Sequence, residues 1–195
     1  MKTKNTFNLI LFVILLTMIV GCKRNSDKQK GLKTDEKSYQ IESILLNEIP
    51  DSTYTFDLKD DNSITFKKSS KNSSTIISVR TFEEQKFCDT DEFIKFAESY
   101  MENKMKPYEM KSLHYNMVGF KNTICLQFDG TFRDSTNIGN NKEYLSHEGY
   151  LCLVPDTESK IAEIKVVHYS TERLIPKDVV YEYKNMVEKL EFTKN

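Results

Sequence analysis

The stretch "CDTDEFIKFAESYMENKMKP", from Cys88 to Pro107, decides the fold class because its apolar residues recur at helical spacing. They stand at positions 93, 96, 97, 100, 101 and 105, the spacing of one face of an amphipathic helix. Asp89 or Thr90 can cap its first turn. Pro107 ends the helix, since proline cannot continue one. The pattern therefore predicts one helix inside a chain that otherwise alternates between apolar and polar residues.

The residues before this helix predict strands. "TYTFDLKDDNSITFKK" (residues 53–68) alternates on either side of the turn sequence "DDNS", which indicates a β-hairpin. "STIISVRTF" (residues 74–82) is rich in β-branched residues and predicts a third strand. Further upstream, the segment before Pro50 predicts a short helix, because its aliphatic residues stand at helical spacing: Ile41, Ile44, Leu45 and Ile49.

After the helix, four alternating segments predict an antiparallel meander, with "DSTNIGNN" as one of its turns. The chain closes with "IPKDVVYEYKNMVEKLEF", in which Pro176 suits a first helical position. One face of this helix is apolar: Val180, Tyr183, Val187 and Leu190. The predicted fold class is α+β, an antiparallel β-sheet with an internal amphipathic helix and a C-terminal helix packed on it.

The N-terminus predicts a targeting segment. Lys2 and Lys4 precede the apolar run "FNLILFVILLTMIV" (residues 7–20), which is too short for a comfortable membrane span and suits a signal peptide. The alternative interpretation is an ordinary N-terminal anchor helix.

The run ends in "IVGC", Ile19 to Cys22, which resembles the bacterial lipobox. The resemblance implies that the Cys22 thiol carries diacylglycerol, that residues 1–21 are removed as a lipoprotein signal peptide, and that the new amine is acylated, for example with palmitate. Two or more acyl chains anchor a protein stably. The resemblance therefore implies a protein of the bacterial cell envelope, held in the inner or outer membrane, with its domain facing the periplasm or the cell surface.

The remaining sequence divides into a tether and one domain. Residues 22–38 predict a flexible tether, because they hold one large apolar residue, Leu32. A rival interpretation, a basic stripe on lipid headgroups, is weakened by the interleaved acidic residues. Residues 39–195 predict a single domain. The formal net charge of −1 argues against a nucleic-acid partner, which needs a basic surface.

The order of elements is similar to the PsbP-like fold, shared by the PsbP subunit of photosystem II and by DcrB-type bacterial lipoproteins. Three stretches carry the resemblance: "IPDSTY" (49–54), "SVRTFEEQKFCDTDEFIKFAESYM" (78–101) and "VEKLEF" (187–192). The Trp often found after the Pro turn is missing, and Tyr54 is the nearest aromatic residue. The resemblance covers residues 39–195. It implies a protein without catalytic activity that binds a partner, although a fold does not set function.

Three cysteines follow Cys22. If "DSTNIGNN" turns a hairpin near Ile138 and Gly139, Cys125 lies opposite Cys152 at a distance that permits a disulfide. The alternative is two small buried apolar side chains. Cys88 precedes a helix N-terminus, which can lower a thiol pKa, but the sequence offers it no neighbouring base.

The sequence predicts no catalytic residue, no metal ligand and no cofactor. A hairpin turning at "DTESK" with Leu151 opposite Ile164 would place His147 near His168, yet a zinc site needs further ligands. The alternative is a pair of surface or hydrogen-bonded strand histidines, as for His114. No Gly-x-Ser-x-Gly elbow and no Gly-rich phosphate loop occurs.

The triplet "DST" occurs twice and resembles the acceptor of a bacterial protein O-glycosylation system, which would modify Ser52 and Ser135. Asx turns alone also explain such triplets.

The sequence favours a non-catalytic, lipid-anchored envelope protein that binds a protein partner through its sheet edge or the exposed face of the meander. The membrane is contacted through the N-terminal lipid. The alternatives are an immunity lipoprotein that neutralises a toxin acting in the periplasm, a hydrolase, and a small-molecule carrier with a cavity between sheet and helix.

Overall fold

The computed structural model describes residues 38–193, apart from 52, 61, 135–142 and the side chains of 57–60. The predicted signal peptide, Cys22 and the tether up to residue 37 lie outside the described residues, as do Ser52 and Ser135. No helix in the described part is long and apolar enough to cross a membrane.

The described residues form a large and a small antiparallel sheet with two helices, which confirms the predicted α+β class. The seven-stranded sheet has the order β3-β4-β5-β9-β8-β7-β6, and the three-stranded sheet has the order β1-β2-β10. The strands are β1 (Tyr39–Ile41), β2 (Ile44–Leu46), β3 (Thr55–Asp60), β4 (Ser63–Ser69), β5 (Ser74–Glu83), β6 (Glu109–Phe120), β7 (Thr123–Arg133), β8 (Tyr144–Leu153), β9 (Lys160–Ser170) and β10 (Leu190–Phe192), and the helices are α1 (Thr90–Met105) and α2 (Lys177–Glu188).

Helix α1 is the helix predicted from the apolar spacing. Asp89 caps it, since the Asp89 carboxylate accepts a hydrogen bond from the Glu92 backbone N–H at 2.9 Å. Its apolar face buries Phe93, Ala97 and Met101 against one face of the large sheet. The local sequence alone accounts for this element, because cap, apolar stripe and terminating proline all agree.

The large sheet is buried on both faces, which gives the domain two apolar cores. The α1 core contains Leu126, Phe128, Leu151 and Ile161 of the sheet. The second core lies on the opposite face, under α2 and the small sheet, and its sheet residues include Ile64, Ile77, Ile164 and Val166. Strand β9 contributes to both cores, because Ile161 belongs to the α1 core and Ile164 and Val166 belong to the second core.

The predicted register of the β8–β9 hairpin is wrong by one residue. Leu151 lies opposite Glu163, and Tyr150 lies opposite Ile164. The prediction assumed that Leu151 and Ile164 share a face, but each belongs to a different core. Because a slip of one residue reverses every side chain, His147 and His168 lie on opposite faces of the sheet.

The short helix predicted before Pro50 is also wrong. Strands β1 and β2 form a tight hairpin there, with Glu42 in the left-handed region at φ 40°. Strand β10, from the far end of the chain, pairs with the other side of β2. This distant partner supplies the hydrogen bonds that a local helix would otherwise supply, so the sequence spacing near residue 41 was misleading.

The C-terminal helix is present, with three differences from the prediction. Pro176 is its cap residue and not its first helical residue. Leu190 lies in β10. The buried positions of the helix are Val179, Tyr183, Met186 and Val187, so Val179 is buried in the place predicted for Val180.

The predicted register of the β7–β8 hairpin is confirmed, with Leu126 opposite Leu151 and Cys125 opposite Cys152. The sulfur atoms of Cys125 and Cys152 are bonded in the structure, and both residues are fully buried beside the second core. The cross-link joins β7 to β8 at the end of the hairpin that lies away from its turn.

Reduction of the Cys125–Cys152 disulfide should lower the free energy of unfolding by about 3 kcal/mol, because a cross-link between residues 27 positions apart restricts the unfolded chain. Urea unfolding of the full chain with and without a reductant measures this difference. Cys88→Ser is the matched control and should behave like the parent, since Cys88 is a free, exposed thiol. Equal stability of the parent chain in both conditions would contradict the prediction.

Candidate functional site

Strand β6 forms an open edge of the large sheet. It is 12 residues long and is the last strand of the sheet order. Among the described residues, β6 pairs with β7 and with no other strand. Its outer backbone groups therefore have no strand partner within the described part of the chain, which is the arrangement that another strand can extend.

One backbone hydrogen bond and the strand registers fix which residues of β6 point outwards. Asp134 N–H donates to the Glu143 carbonyl at 2.9 Å, so the even-numbered residues of β7 bond to β8. The odd-numbered residues of β7, among them Cys125, then bond to β6, where Cys125 lies opposite Val118. The neighbouring β6 residues direct their N–H and C=O groups away from the sheet: Leu113, Tyr115, Met117 and Gly119.

The open edge carries almost no charge. From Ser112 to Phe120 the strand has no Asp, Glu, Lys or Arg. Lys111 stands just before this run, at a bulge opposite β7. Edge strands are usually protected from other strands by charged side chains, prolines or bulges. Only the first end of β6 has such protection, so residues 112–120 present an unguarded edge.

The two faces of this edge differ in chemistry. On the α1 face, three apolar side chains are strongly exposed: Met110 (62%), Met117 (41%) and Ile124 (42%). Leu113 and Tyr115 lie on the same face and are half-buried. The opposite face is polar at Asn116 and at His114, whose Nδ1 lies 3.0 Å from the carboxylate of Asp129. It becomes apolar at Val118 and Phe120, which pack against the second core. We call this strand edge with its α1-face residues the β6 edge.

Helix α1 packs on β7, beside the apolar face of the β6 edge, and Tyr115 of β6 contacts the α1 core. The Tyr115 hydroxyl is buried and has no hydrogen-bond partner among the described residues. Burial raises the pKa of Tyr115 to about 12, and the nearby carboxylates of Glu102 and Glu98 add to the increase. Glu98 and Glu102 stand four residues apart on the flank of α1 opposite Tyr100, which packs against Phe82 of β5, so the flank on the β6 side carries two acidic side chains.

The other flank of α1 is held to the sheet by a buried carboxylate. Glu163 is 0% exposed and accepts hydrogen bonds from Arg80, from Lys104 at 2.9 Å and from Lys165 at 3.0 Å. Burial alone would raise the pKa of Glu163, but the three cations lower it to about 2. Tyr100 accepts a hydrogen bond from Arg80. Every oxygen of the carboxylate is engaged, which fits a structural role.

The histidines do not form a common site. His147 is 2% exposed and lies between the rings of Phe128 and Phe132, with centroids 5.1 and 5.0 Å away. Burial, helped by the positive charge of Lys165, lowers the pKa of His147 to about 4. His168 is buried on the other face, where its Nδ1 lies 2.9 Å from Thr75 Oγ1, and burial lowers its pKa. Within the described residues, no group of three or more metal-ligating side chains comes together.

Cys88 is exposed at the start of α1, but the helix terminus does not activate its thiol. The Glu92 carboxylate accepts a hydrogen bond from the Cys88 backbone N–H at 2.8 Å and raises the pKa of the thiol. The sequence had suggested that the helix N-terminus could lower the pKa of Cys88. The negative charge of Glu92 has the opposite effect and raises it.

The structure has an open groove of about 670 Å³ between the small sheet and the β3–β4 hairpin. Its aromatic walls are Tyr39, Tyr54, Phe56 and Phe66. At the rim, the Asp51 carboxylate accepts a hydrogen bond from the Thr53 N–H at 2.8 Å, which is an Asx turn. The hydrogen bond supports the interpretation of the first "DST" triplet as an Asx turn, which was the alternative to a glycosylation acceptor.

The sequence predicted binding at a sheet edge or at the exposed face of the meander, but did not identify the strand that forms the edge. Two signals within β6 could have identified it: the uncharged run from Ser112 to Phe120, and the alternation of Leu113, Tyr115 and Met117 with polar residues. The buried Glu163 was also missed. Its signal was a single acidic residue inside the apolar run "KIAEIKVV".

Comparison with solved structures shows a similar fold in LpqN, a protein involved in cell envelope biogenesis of Mycobacterium tuberculosis. The TM-score is 0.55 with 9% sequence identity, over 77% of this chain and 83% of that chain. At this identity the similarity concerns the fold alone. No family model matches the chain, and no curated protein matches its sequence.

Acidification should destabilise the domain through His147. Between pH 6.5 and about 4, the unfolded chain binds a proton at His147 that the folded protein excludes, so stability falls as the pH falls. His168 acts with the same sign, whereas Glu163 loses its contribution only below its ordinary pKa of 4.5. His147→Leu should therefore reduce the loss of unfolding free energy between pH 7 and pH 4.5 by about 2–3 kcal/mol.

Urea unfolding at a series of pH values measures this change. His114→Gln is the matched control, because His114 is exposed, and it should leave the loss in place. If His147→Leu and the parent lose the same stability over this pH range, His147 is not the group responsible.

Proposed function

We propose that this protein is a non-catalytic lipoprotein of the bacterial cell envelope that binds another protein by strand addition at the β6 edge. Residues 1–21 are a lipoprotein signal peptide, residues 22–38 form a tether, and residues 39–195 form the partner-binding domain. The sequence "IVGC" at Ile19–Cys22 supports the location in the cell envelope. The fold similarity to LpqN, an envelope-biogenesis protein, agrees with that location.

The observation that carries the binding mode is the unguarded edge. Residues 113, 115, 117 and 119 each offer an outward N–H and C=O, and no described strand takes them up. A partner strand gains main-chain hydrogen bonds from such an edge and gains specificity from the side chains beside it. The exposed Met117 and Ile124 add apolar surface that a partner would cover.

The absence of catalysis in this proposal is supported by how the reactive side chains are used. Glu163 is saturated by three cations, and His147 is enclosed by aromatic rings. His168 lies on the opposite face of the sheet from His147. A general acid or base must reach a substrate, and neither Glu163 nor His147 is exposed to one.

The lipid anchor is tested by Cys22→Ser. This substitution removes the thiol that would be acylated, so labelling with radioactive palmitate should be lost and the uncleaved precursor should accumulate. Cys88→Ser, which keeps Cys22, is the matched control and should label like the parent. Labelling that persists in Cys22→Ser would show that the lipobox interpretation is wrong.

The partner site is tested by photocrosslinking in the source membranes. A photoreactive residue in place of Met117 should give one discrete crosslinked protein, because Met117 lies on the open edge. The same residue in place of Tyr181, which is 68% exposed on α2, should give none. A secreted toxin as the crosslinked partner would favour the immunity version of the proposal.

Gly119 provides a matched pair of blocking variants for this experiment. An added Cβ at Gly119 meets no atom within 4 Å, so Gly119→Ala should fit and keep the crosslink. Gly119→Pro removes an outward N–H without breaking a bond to β7, so it should block strand addition and abolish the crosslink. Equal crosslinking in the two variants would contradict binding at the β6 edge.

A further inference from the structure

We infer that the β6 edge selects a partner strand whose side chains alternate between apolar and polar, with the apolar side facing α1 and one basic residue placed beside Glu98 and Glu102. This inference rests on the proposed strand addition and specifies the chemistry of the partner. It follows from three features of the edge: its phase, its two unlike faces and its acidic flank.

The two ends of the regular part of β6 limit the length of the added strand. The bulge at Lys111 interrupts β6 at one end, and the turn at Lys121 and Asn122, both with positive φ, ends it at the other. Between these limits the outward backbone groups recur at every second residue from Leu113 to Gly119. The regular part of the edge therefore accommodates a partner segment that is matched to residues 113–119.

The faces of the edge define the alternation. In an antiparallel or parallel pair, neighbouring residues on adjacent strands share a face, so the partner's side chains continue the two faces of β6. On the α1 face they would meet Leu113, Tyr115 and Met117. On the opposite face they would meet His114 and Asn116, which are exposed and polar, and Val118, which is half-buried against the second core. A partner with apolar residues at alternate positions satisfies both faces at once.

The acidic flank of α1 adds a charge requirement. Glu98 and Glu102 lie one helical turn apart, on the flank of α1 opposite Tyr100, which packs against Phe82 of β5. Because β6 lies at the other end of the strand order from β5, this flank is the one nearer the β6 edge. The two lysines of α1 lie on the other flank, since Lys104 is bound to Glu163 and Lys95 lines the same surface as Tyr100. A Lys or Arg on the partner's α1 face would meet these two carboxylates.

The same flank disfavours a second copy of this chain as the occupant. Strand β6 alternates in the required way, so two copies could pair edge to edge. Such pairing would bring Glu98 and Glu102 of both copies to the same face of the joined sheet, where like charges repel. A basic partner removes that repulsion, and charge complementarity therefore favours a different protein.

The test uses synthetic peptides and the full chain in detergent. The matching peptide alternates five side chains for the α1 face with four threonines, in the order Ile-Thr-Val-Thr-Lys-Thr-Val-Thr-Ile. A block peptide of the same composition, Ile-Val-Lys-Val-Ile followed by four threonines, lacks the alternation. A third peptide has Gln in place of Lys. Fluorescence anisotropy of labelled peptides at low and high salt gives the dissociation constants.

We expect the block peptide to bind at least ten-fold more weakly than the matching peptide. Glu98→Gln combined with Glu102→Gln should weaken the Lys peptide by about five-fold, as expected for two exposed ion pairs, and high salt should have the same effect. The Gln peptide should be insensitive to both changes. Gly119→Pro should abolish binding of every peptide, and Gly119→Ala should not.

Three results would overturn the inference. Equal binding of the matching and block peptides, with both lost in Gly119→Pro, would leave strand addition standing and reject the alternation. Equal binding of the Lys and Gln peptides would reject the acidic flank. A dimer in analytical ultracentrifugation that Gly119→Pro dissociates would make a second copy the occupant. If no peptide binds and Met117 gives no crosslink, the proposed function itself fails.

Discussion

The Glu163 carboxylate and its three cations form the interaction on which the arrangement of the sheet and α1 depends. Arg80 comes from β5, Lys165 from β9 and Lys104 from the last turn of α1, so one buried charge joins three elements. A buried carboxylate is tolerated only when its charge is compensated. Its partners can compensate it only while α1 lies across the sheet in one orientation.

That orientation determines what the rest of the surface offers. Lys104 and Tyr100 of α1 contact the β5 and β9 side of the sheet, so the flank with Glu98 and Glu102 lies on the β6 side. The apolar stripe of α1 covers β7 and leaves the outermost residues of β6 and the start of β7, such as Met117 and Ile124, exposed. The helix therefore both completes one core and shapes one face of the open edge.

The elements that could be predicted from the sequence are those whose signals are local. Helix α1 has its cap, stripe and terminating proline within 20 residues, and the β7–β8 hairpin has a single turn that sets its register. The β8–β9 register could not be predicted, because apolar residues of both parities are buried when a sheet has a core on each face. The β1–β2 hairpin depends on β10, about 145 residues later, and no local pattern near Ile41 reveals that partner.

The candidate site lies between these two cases. The alternation of β6 and its lack of charge can be seen in the sequence. Its position at the edge of the sheet depends on the pairing of β5 with β9, because this pairing adds β3, β4 and β5 at the opposite end of the meander. Strand order of this kind comes from long-range contacts. The residues of the candidate site could therefore be recognised from the sequence, but the position of their strand at the edge of the sheet could not.

The Cys125–Cys152 cross-link has a mechanical consequence for the proposed binding at the β6 edge. A partner that pulls on β6 loads the ladder between β6 and β7, and then the ladder between β7 and β8. When an antiparallel pair of strands is pulled apart, its backbone hydrogen bonds break one pair after another. The disulfide between β7 and β8 keeps these two strands together after their hydrogen bonds come under load. Tension from the partner would thus detach the edge strand before it reached the middle of the sheet.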